Sequence, residues 1–191
     1  EPLKITYADL LEHPEGIELP SEPRPEKSYE AKGFSTPSGK VEIASSVLAK
    51  HGLDALPVYH EPAESPLSRP DLAGEYPLVM TSGARVMAYT HSQYRNLPTL
   101  RKMMKDPQVD IHPDDAKARG IKNGDRVSIK TPRDTIYMKA NVTDAILRGV
   151  VSMPHHWPGD ANANALVNDK TLDPVSGFIP CKSQLCEVKR V

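Results

Sequence analysis

One stretch of the chain combines cationic and hydrogen-bonding side chains without a single acid. The segment TSGARVMAYTHSQYRNLPTLRKMMK, residues 81–105, contains neither Asp nor Glu, although the whole chain is almost neutral, with 24 Lys and Arg against 25 Asp and Glu. Its cations are Arg85, Arg95, Arg101, Lys102 and Lys105. Three interpretations are open: the segment binds an anionic ligand, it faces an acidic partner, or its composition is chance.

The start of this segment has the residue types that a phosphate-containing ligand needs. Thr81 and Ser82 supply hydroxyls, and Gly83 allows a turn in which the backbone approaches a ligand closely. Arg85 can donate two parallel hydrogen bonds to a phosphate or stack on a ring. The segment therefore predicts a polar, cationic loop after a buried strand.

Other side chains extend the same chemistry. Mixed donors and acceptors that suit a polar heterocycle are His91, Ser92, Gln93 and Asn96. Two later stretches, NANALVND and PCKS, add an amide and a cation, Asn164 and Lys182. The alternative is a solvated basic face with ordinary loop amides.

None of the common patterns of a self-sufficient active site occurs in the sequence: GxSxG, GxxxxGK[ST] and HExxH are all missing. His155 and His156 are adjacent, and neighbouring side chains of an extended strand point to opposite faces, so we do not expect them to bind one metal ion. Cys181 and Cys186 lack the second pair that a zinc or iron–sulfur site requires. We predict no catalytic residue and no metal ligand in this chain.

Composition argues against several classes of protein. A net charge of −1 argues against general nucleic-acid binding. No apolar run approaches the ~20 residues that cross a bilayer, so direct membrane insertion is not expected, and no signal-peptide pattern opens the chain. The 191-residue chain begins with Glu1 rather than Met, and we interpret it as a piece of a longer protein.

The chain is expected to divide near residue 76. Residues 1–30 hold eight acids, three bases and five prolines, a composition that cannot build a core and indicates an extended segment. Residues 56–77 contain five more prolines and are interpreted as a linker. We therefore assign residues 1–75 to an extended or linker segment and residues 76–191 to one compact domain.

The second part of the sequence is rich in short strands. Alternating apolar residues around Val109, Val127 and Ile136 predict strands, and a short helix begins at Pro113 and ends at Gly120. Strands every 10–15 residues, joined by one-turn helices, favour a small closed barrel over a parallel sheet with long crossovers.

The block HPDDAKARGIKNGDRVSI, followed by NVT and RGVV, makes residues 76–191 resemble a known domain. The resemblance is to the C-terminal dinucleotide-binding domain of molybdopterin oxidoreductases, the dimethyl-sulfoxide-reductase family. It implies a mainly β fold, a six-stranded double-psi barrel with short helices, preceded here by an extended N-terminal segment. It also implies a bis(molybdopterin guanine dinucleotide) cofactor that carries molybdenum or tungsten.

The same resemblance assigns roles to the residues singled out above. TSGAR matches the family's loop along the dinucleotide, and HSQ matches the pterin contact. Asn164 and Lys182 match the family's Asn-x-Leu and its lysine of the penultimate strand. The implied cofactor-binding residues are Thr81, Ser82, Gly83, Arg85, His91, Ser92, Gln93, Asn164 and Lys182.

The family also implies what lies outside this chain. The protein ligand to the metal and the cysteines of any iron–sulfur cluster are expected in preceding domains of the large subunit. The implied partners are the rest of that subunit and an iron–sulfur electron-transfer subunit. A prokaryotic protein of this kind is cytoplasmic or exported according to its N-terminus. The alternative is a double-psi barrel that serves as a protein-interaction module without a cofactor.

Overall fold

Six strands form a closed barrel in the computed structural model, which describes residues 4–19, 26–84 and 86–191. The chain divides into two compact units, Glu1–Tyr59 and His60–Val191, and the barrel belongs to the second. The strands are β1 (Leu78–Ala84), β2 (Gln108–Ile111), β3 (Arg126–Lys130), β4 (Thr135–Val142), β5 (Val150–Pro154) and β6 (Gln184–Arg190).

The strands close in the order β1-β5-β2-β4-β3-β6. β1 pairs with β5 and β2 pairs with β4 in parallel, and the remaining four pairings are antiparallel. This arrangement confirms the expected mainly β fold, a six-stranded double-psi barrel with short helices. Because β1 and β5 are parallel, their carboxyl ends lie side by side, with Ala84 opposite Pro154.

The barrel interior is filled by the alternating apolar residues that the sequence predicted. Strand β3 buries Val127 and Ile129 and turns the residues between and beside them outward, as a half-buried strand does. The largest fully buried side chains include Leu78, Met80, Ile111, Ile129, Met153, Leu166 and Leu185. Apolar burial of this kind supplies the main stabilisation of a small barrel.

The second unit also contains short helices. They are α4 (Pro70–Ala73), α5 (Pro98–Arg101) and α6 (Pro113–Ala118), with 3-10 helices at Gly159–Ala161 and Ala163–Leu166; α1 to α3 belong to the first unit. Helix α6 begins at the proline that the sequence indicated, and His112 caps it by accepting the N–H of Asp114 at 3.2 Å. None of the helices in the described ranges is long and apolar enough to cross a bilayer.

The first unit has no buried residue among those described, in line with the expectation that this composition cannot build a core. It is less extended than expected, since it contains α1 (Tyr7–Glu12), α2 (Ser28–Lys32) and α3 (Ser46–Lys50). The physical reason is local capping. Thr6 and Asp9 form a reciprocal capping box at α1, and Ser45 caps α3 by accepting the N–H of Leu48.

The proline-rich residues 60–75 are packed rather than a bare linker, which corrects the interpretation of residues 56–77. They belong to the second compact unit, contain α4, and bury Glu64 and Ser65. The reason is a set of hydrogen bonds from the barrel to Glu64 that proline content does not reveal. The assignment of residues 76–191 as the domain of the longer protein stays a prediction.

Candidate functional site

The carboxyl ends of β1 and β5 bring two sequence-predicted residues and two unpredicted ones together. Gly83 lies near the end of β1, and His155 and His156 follow directly after β5. The parallel pairing of the two strands places these positions at the same rim of the barrel. Lys182 precedes β6, and its side chain reaches the same rim, where its Nζ contacts Ser82 of β1.

Gly83 lies in an irregular part of β1 rather than in the turn that the sequence predicted. The register with β5 shifts between Ser82 and Ala84, and Gly83 has a φ of +93°. A Cβ at this position would lie 3.2 Å from Lys182 Nζ and 3.3 Å from His155 Nδ1. The missing side chain therefore lets a cation and an imidazole approach the strand together.

Lys182 is fixed to β1 by contacts across a long sequence separation. Its Nζ donates to the carbonyl oxygen of Ser82 at 3.2 Å. The backbone N–H and the hydroxyl of Ser82 both donate to Cys181 O, at 2.8 and 3.1 Å. The Ser82 hydroxyl is therefore engaged inside the protein, and the part of this residue that faces Lys182 is its carbonyl.

Three histidines gather at the rim. His91 Nδ1 lies 3.0 Å from His155 Nε2, and their rings stack with centroids 5.1 Å apart. His156 packs edge-on against both rings, at 4.6 Å from His91 and 4.0 Å from His155. One ring nitrogen of each histidine lies within 4.8 Å of the others.

The closeness of His155 and His156 corrects the expectation that adjacent residues point to opposite faces. Strand β5 ends at Pro154, and His156 has a φ of +66°, in the left-handed region. Strand alternation therefore does not apply to this pair. Desolvation, together with the charges of His91 and Arg95, lowers the pKa of His156, which favours its neutral form.

Arg95 joins this cluster from the acid-free segment. Its guanidinium stacks on the ring of Trp157 at 4.0 Å, and Nη2 donates to His156 O. Its Nε is shielded from solvent and has no hydrogen-bond partner. A buried guanidinium N–H without an acceptor is costly, so this atom is suited to an acceptor that a ligand would supply.

The charges around the histidines decide between two kinds of ligand. By spacing alone, three imidazole nitrogens could hold a transition metal ion such as zinc. Arg95 and Lys182 lie beside them, and no described residue forms an ion pair with either cation. Two uncompensated positive charges oppose a bound cation and attract an anion, so the cluster favours an anionic, planar ligand.

The remaining predicted residues lie on different elements of the second unit. Thr81 lies in β1 opposite Ser152 of β5, and Gln93 donates its backbone N–H to Thr90 O at 2.9 Å. The side chains of Ser92 and Asn164 are exposed, and Asn164 lies in the second 3-10 helix. Arg85 lies outside the described residues, so its predicted role stays a prediction.

Sequence reasoning missed four residues of the cluster: Arg95, His155, His156 and Trp157. The available signal was the run PHHW directly after the core strand VVSMP, together with a lone arginine four residues after His91. That signal becomes informative only when β1 and β5 are known to be parallel neighbours, and this pairing joins strands about 70 residues apart.

Comparison with known families decides what kind of domain this is. The model of the family described as "Molydopterin dinucleotide binding domain" matches residues 78–185, more than half of the chain. The chain belongs to this family. Its barrel is therefore a molybdopterin-dinucleotide-binding domain, as the resemblance implied, and the match favours this interpretation over a protein-interaction module without a cofactor.

The chain is similar to enzymes of several kinds. Acetylene hydratase of Syntrophotalea acetylenica is 37% identical over 126 residues, which are 66% of this chain and 17% of that protein. Dopamine dehydroxylase of Eggerthella lenta is 35% identical over 160 residues, 76% of this chain and 16% of that protein. Dimethyl sulfoxide reductase DmsA of Escherichia coli is 34% identical over 137 residues, which are 65% of this chain and 16% of that protein.

A solved structure supports the same assignment. Acetylene hydratase from Pelobacter acetylenicus superposes with a TM-score of 0.75 at 30% identity, covering 84% of this chain and 24% of that one. The chain spans 16–17% of the length of the curated relatives named above.

Proposed function

We propose that this chain is the cofactor-binding C-terminal portion of the large subunit of a molybdopterin-dependent oxidoreductase. The relatives include oxidoreductases such as dimethyl sulfoxide reductase and formate dehydrogenase, and they are five to six times longer than the region they share with this chain. The chain would supply one wall of a site whose remaining walls belong to the rest of the subunit.

The observation that carries this proposal is the rim at the ends of β1 and β5. It combines a strand without a Cβ at Gly83, the cation of Lys182, and an Arg95 Nε that lacks an acceptor. A guanine dinucleotide of molybdopterin offers an anionic pyrophosphate and planar heterocycles, and these residues fit both kinds of group. Cations and free donors stabilise the pyrophosphate, whereas flat rings stack on imidazoles.

The proposal gives four residues of the rim a role in binding the cofactor. Lys182 and Arg95 would neutralise the charge of the pyrophosphate and donate hydrogen bonds to its oxygens. Gly83 would let the ligand approach the backbone, and neutral His156 would accept or donate a hydrogen bond at a ring edge. The bound cofactor supplies two-electron redox chemistry at molybdenum or tungsten, while the protein positions and tunes it.

The proposal extends to what lies outside the chain. The metal ligand and any iron–sulfur cluster would lie in preceding domains, and an iron–sulfur subunit would exchange electrons with the large subunit. The isolated chain would accordingly be inactive with dye electron donors. Turnover by the purified chain would contradict this part of the proposal.

Replacement of one cation tests the binding wall. In the full-length subunit, Lys182→Ala removes one charge-assisted hydrogen bond, and the affinity for the cofactor should fall by about 1.5–3 kcal/mol, or roughly 10- to 150-fold. The measurement is guanine dinucleotide retained per folded subunit after dialysis. The control is Lys122→Ala, which removes an exposed lysine from the turn between α6 and β3. Equal retention by both variants would contradict the assignment of Lys182.

A further inference from the structure

A buried carboxylate lies in the segment that precedes the barrel. The side chain of Glu64 is 3% exposed and accepts from both terminal nitrogens of Arg133, at 2.7 and 2.9 Å. It also accepts the backbone N–H of Leu185 at 2.8 Å. Burial alone would raise the pKa of Glu64, but the bonds from Arg133 and Leu185 outweigh it and lower the pKa. Glu64 is therefore an ionised group with a complete set of partners.

Arg133 connects this carboxylate to the helix that carries Asn164, which the family resemblance assigns to the cofactor. It lies in the turn between β3 and β4, and its Nε donates to Leu166 O at 2.7 Å. Thr131 Oγ1 donates to the same carbonyl at 3.2 Å. Leu166 is fully buried and ends the 3-10 helix Ala163–Leu166, which carries Asn164. Arg133 thus fixes the helix that presents Asn164.

Glu64 also contacts the segment that carries Lys182. Its backbone carbonyl accepts from Ser183 Oγ at 2.7 Å, and its carboxylate holds Leu185 N. Lys182, the cation at the rim, immediately precedes Ser183. Gln184, the residue between Ser183 and Leu185, is fully buried. Its Oε1 accepts the N–H of Asn168, and its Nε2 donates to Pro180 O. Glu64, which lies outside the barrel strands, therefore holds the segment of Lys182 directly and the segment of Asn164 through Arg133.

We propose that Glu64 is a positioning residue for the cofactor: together with Arg133 it holds the segments that carry Asn164 and Lys182 in the arrangement that binds the dinucleotide. The inference rests on the proposed function. Glu64 would not touch the cofactor. The planar guanidinium suits this role because it bonds both carboxylate oxygens and Leu166 O at once, which an apolar pair of the same volume cannot do.

Two substitutions test this role in the full-length subunit. Glu64→Gln keeps the shape of the side chain but removes its charge. Arg133→Lys keeps the charge, but an ammonium group lacks the planar fork that donates to both carboxylate oxygens and Leu166 O together. The matched control is Glu75→Gln, which makes the same chemical change in an exposed pair with Lys130, at 3.2 Å.

Two quantities are measured on each variant. The first is guanine dinucleotide retained per folded subunit, with the folded fraction taken from circular dichroism. The second is amide hydrogen exchange of residues 163–168 and 181–185 in cofactor-free protein. Glu64→Gln should lower retention about tenfold and accelerate exchange in both segments, Arg133→Lys should show a smaller effect of the same kind, and Glu75→Gln should match the wild type.

The possible results separate the two proposals. A wild-type subunit that holds no dinucleotide would overturn the proposed function. Exchange that stays unchanged in folded Glu64→Gln would overturn the positioning role, whatever the cofactor does. Loss of cofactor only in proportion to loss of folded protein would overturn it as well. If Glu64→Gln does not fold, the milder Arg133→Lys decides by the same two measurements.

Discussion

At the scale of single residues, Gly83 has the tightest steric requirement of the rim. Its φ of +93° disfavours any side chain, and a Cβ would press against Lys182 Nζ at 3.2 Å and His155 Nδ1 at 3.3 Å. Gly83→Ala should lower the free energy of unfolding by about 1–2 kcal/mol from backbone strain. Because the displaced groups belong to the proposed binding wall, the full-length subunit should also retain less cofactor.

Gly124→Ala separates these two effects. Gly124 has a similar φ of +84°, but a Cβ there would meet nothing within 4 Å. Gly124→Ala should lower the free energy of unfolding by a similar amount in urea titrations, but it should retain as much cofactor as the wild type. A Gly83→Ala variant that binds as much cofactor as Gly124→Ala would show that Lys182 and His155 have no part in binding.

Single residues also show which parts of the candidate site could be predicted from the sequence and which could not. Gly83 and His91 were singled out because the acid-free segment and a family motif both contain them, and Lys182 was singled out by PCKS and a family motif. His156 was misjudged, since its left-handed backbone is set by the loop after β5 and not by its own residue type. Glu64 gave no signal, because an acid among prolines looks like an ordinary solvated residue until its buried partners are known.

At the scale of elements, the strands and helix α6 were predictable because local periodicity and capping specify them. Alternation marked the strands β2 to β4, and Pro113 marked the start of α6. The parallel pairing of β1 with β5 was not predicted, since no local pattern encodes a contact between strands so far apart. The rim depends on that pairing, so its geometry required the structure.

Helix α6 is joined to the loop before β5 by a buried acid, and this contact can be tested. Asp115 is 8% exposed and its Oδ2 accepts the N–H of Gly149 at 2.6 Å. Asp115→Ala would leave that N–H without a partner, and the free energy of unfolding should fall by about 1–3 kcal/mol. Asp114→Ala is the control, because Asp114 lies in the same first helical turn but is exposed. Equal losses in urea titrations would mean that only the helix dipole is involved.

At the scale of the whole molecule, the chain consists of two units of different character. The first unit, Glu1–Tyr59, contains short helices and no buried residue among those described, whereas the second, His60–Val191, holds the entire barrel. The boundary between them precedes Glu64, so the second unit includes a segment that the sequence assigned to a linker. That segment contributes the carboxylate on which Arg133 and Leu185 depend.

Two shortened chains measure what this segment contributes. A chain of residues 60–191 keeps Glu64, whereas a chain of residues 76–191 begins at the sequence-predicted boundary and leaves Arg133 and Leu185 N without their acceptor.

Loss of one partner of a buried ion pair costs about 3–5 kcal/mol, and the lower end applies because the Arg133 side chain remains 24% exposed. The free energy of unfolding of residues 76–191, from urea titrations followed by circular dichroism, should therefore be about 3 kcal/mol lower. Glu64→Gln in residues 60–191 should reproduce part of that loss, while Glu75→Gln should reproduce none of it. Equal unfolding midpoints for the two shortened chains would show that the barrel is complete from residue 76 onward and that Glu64 does not stabilise it.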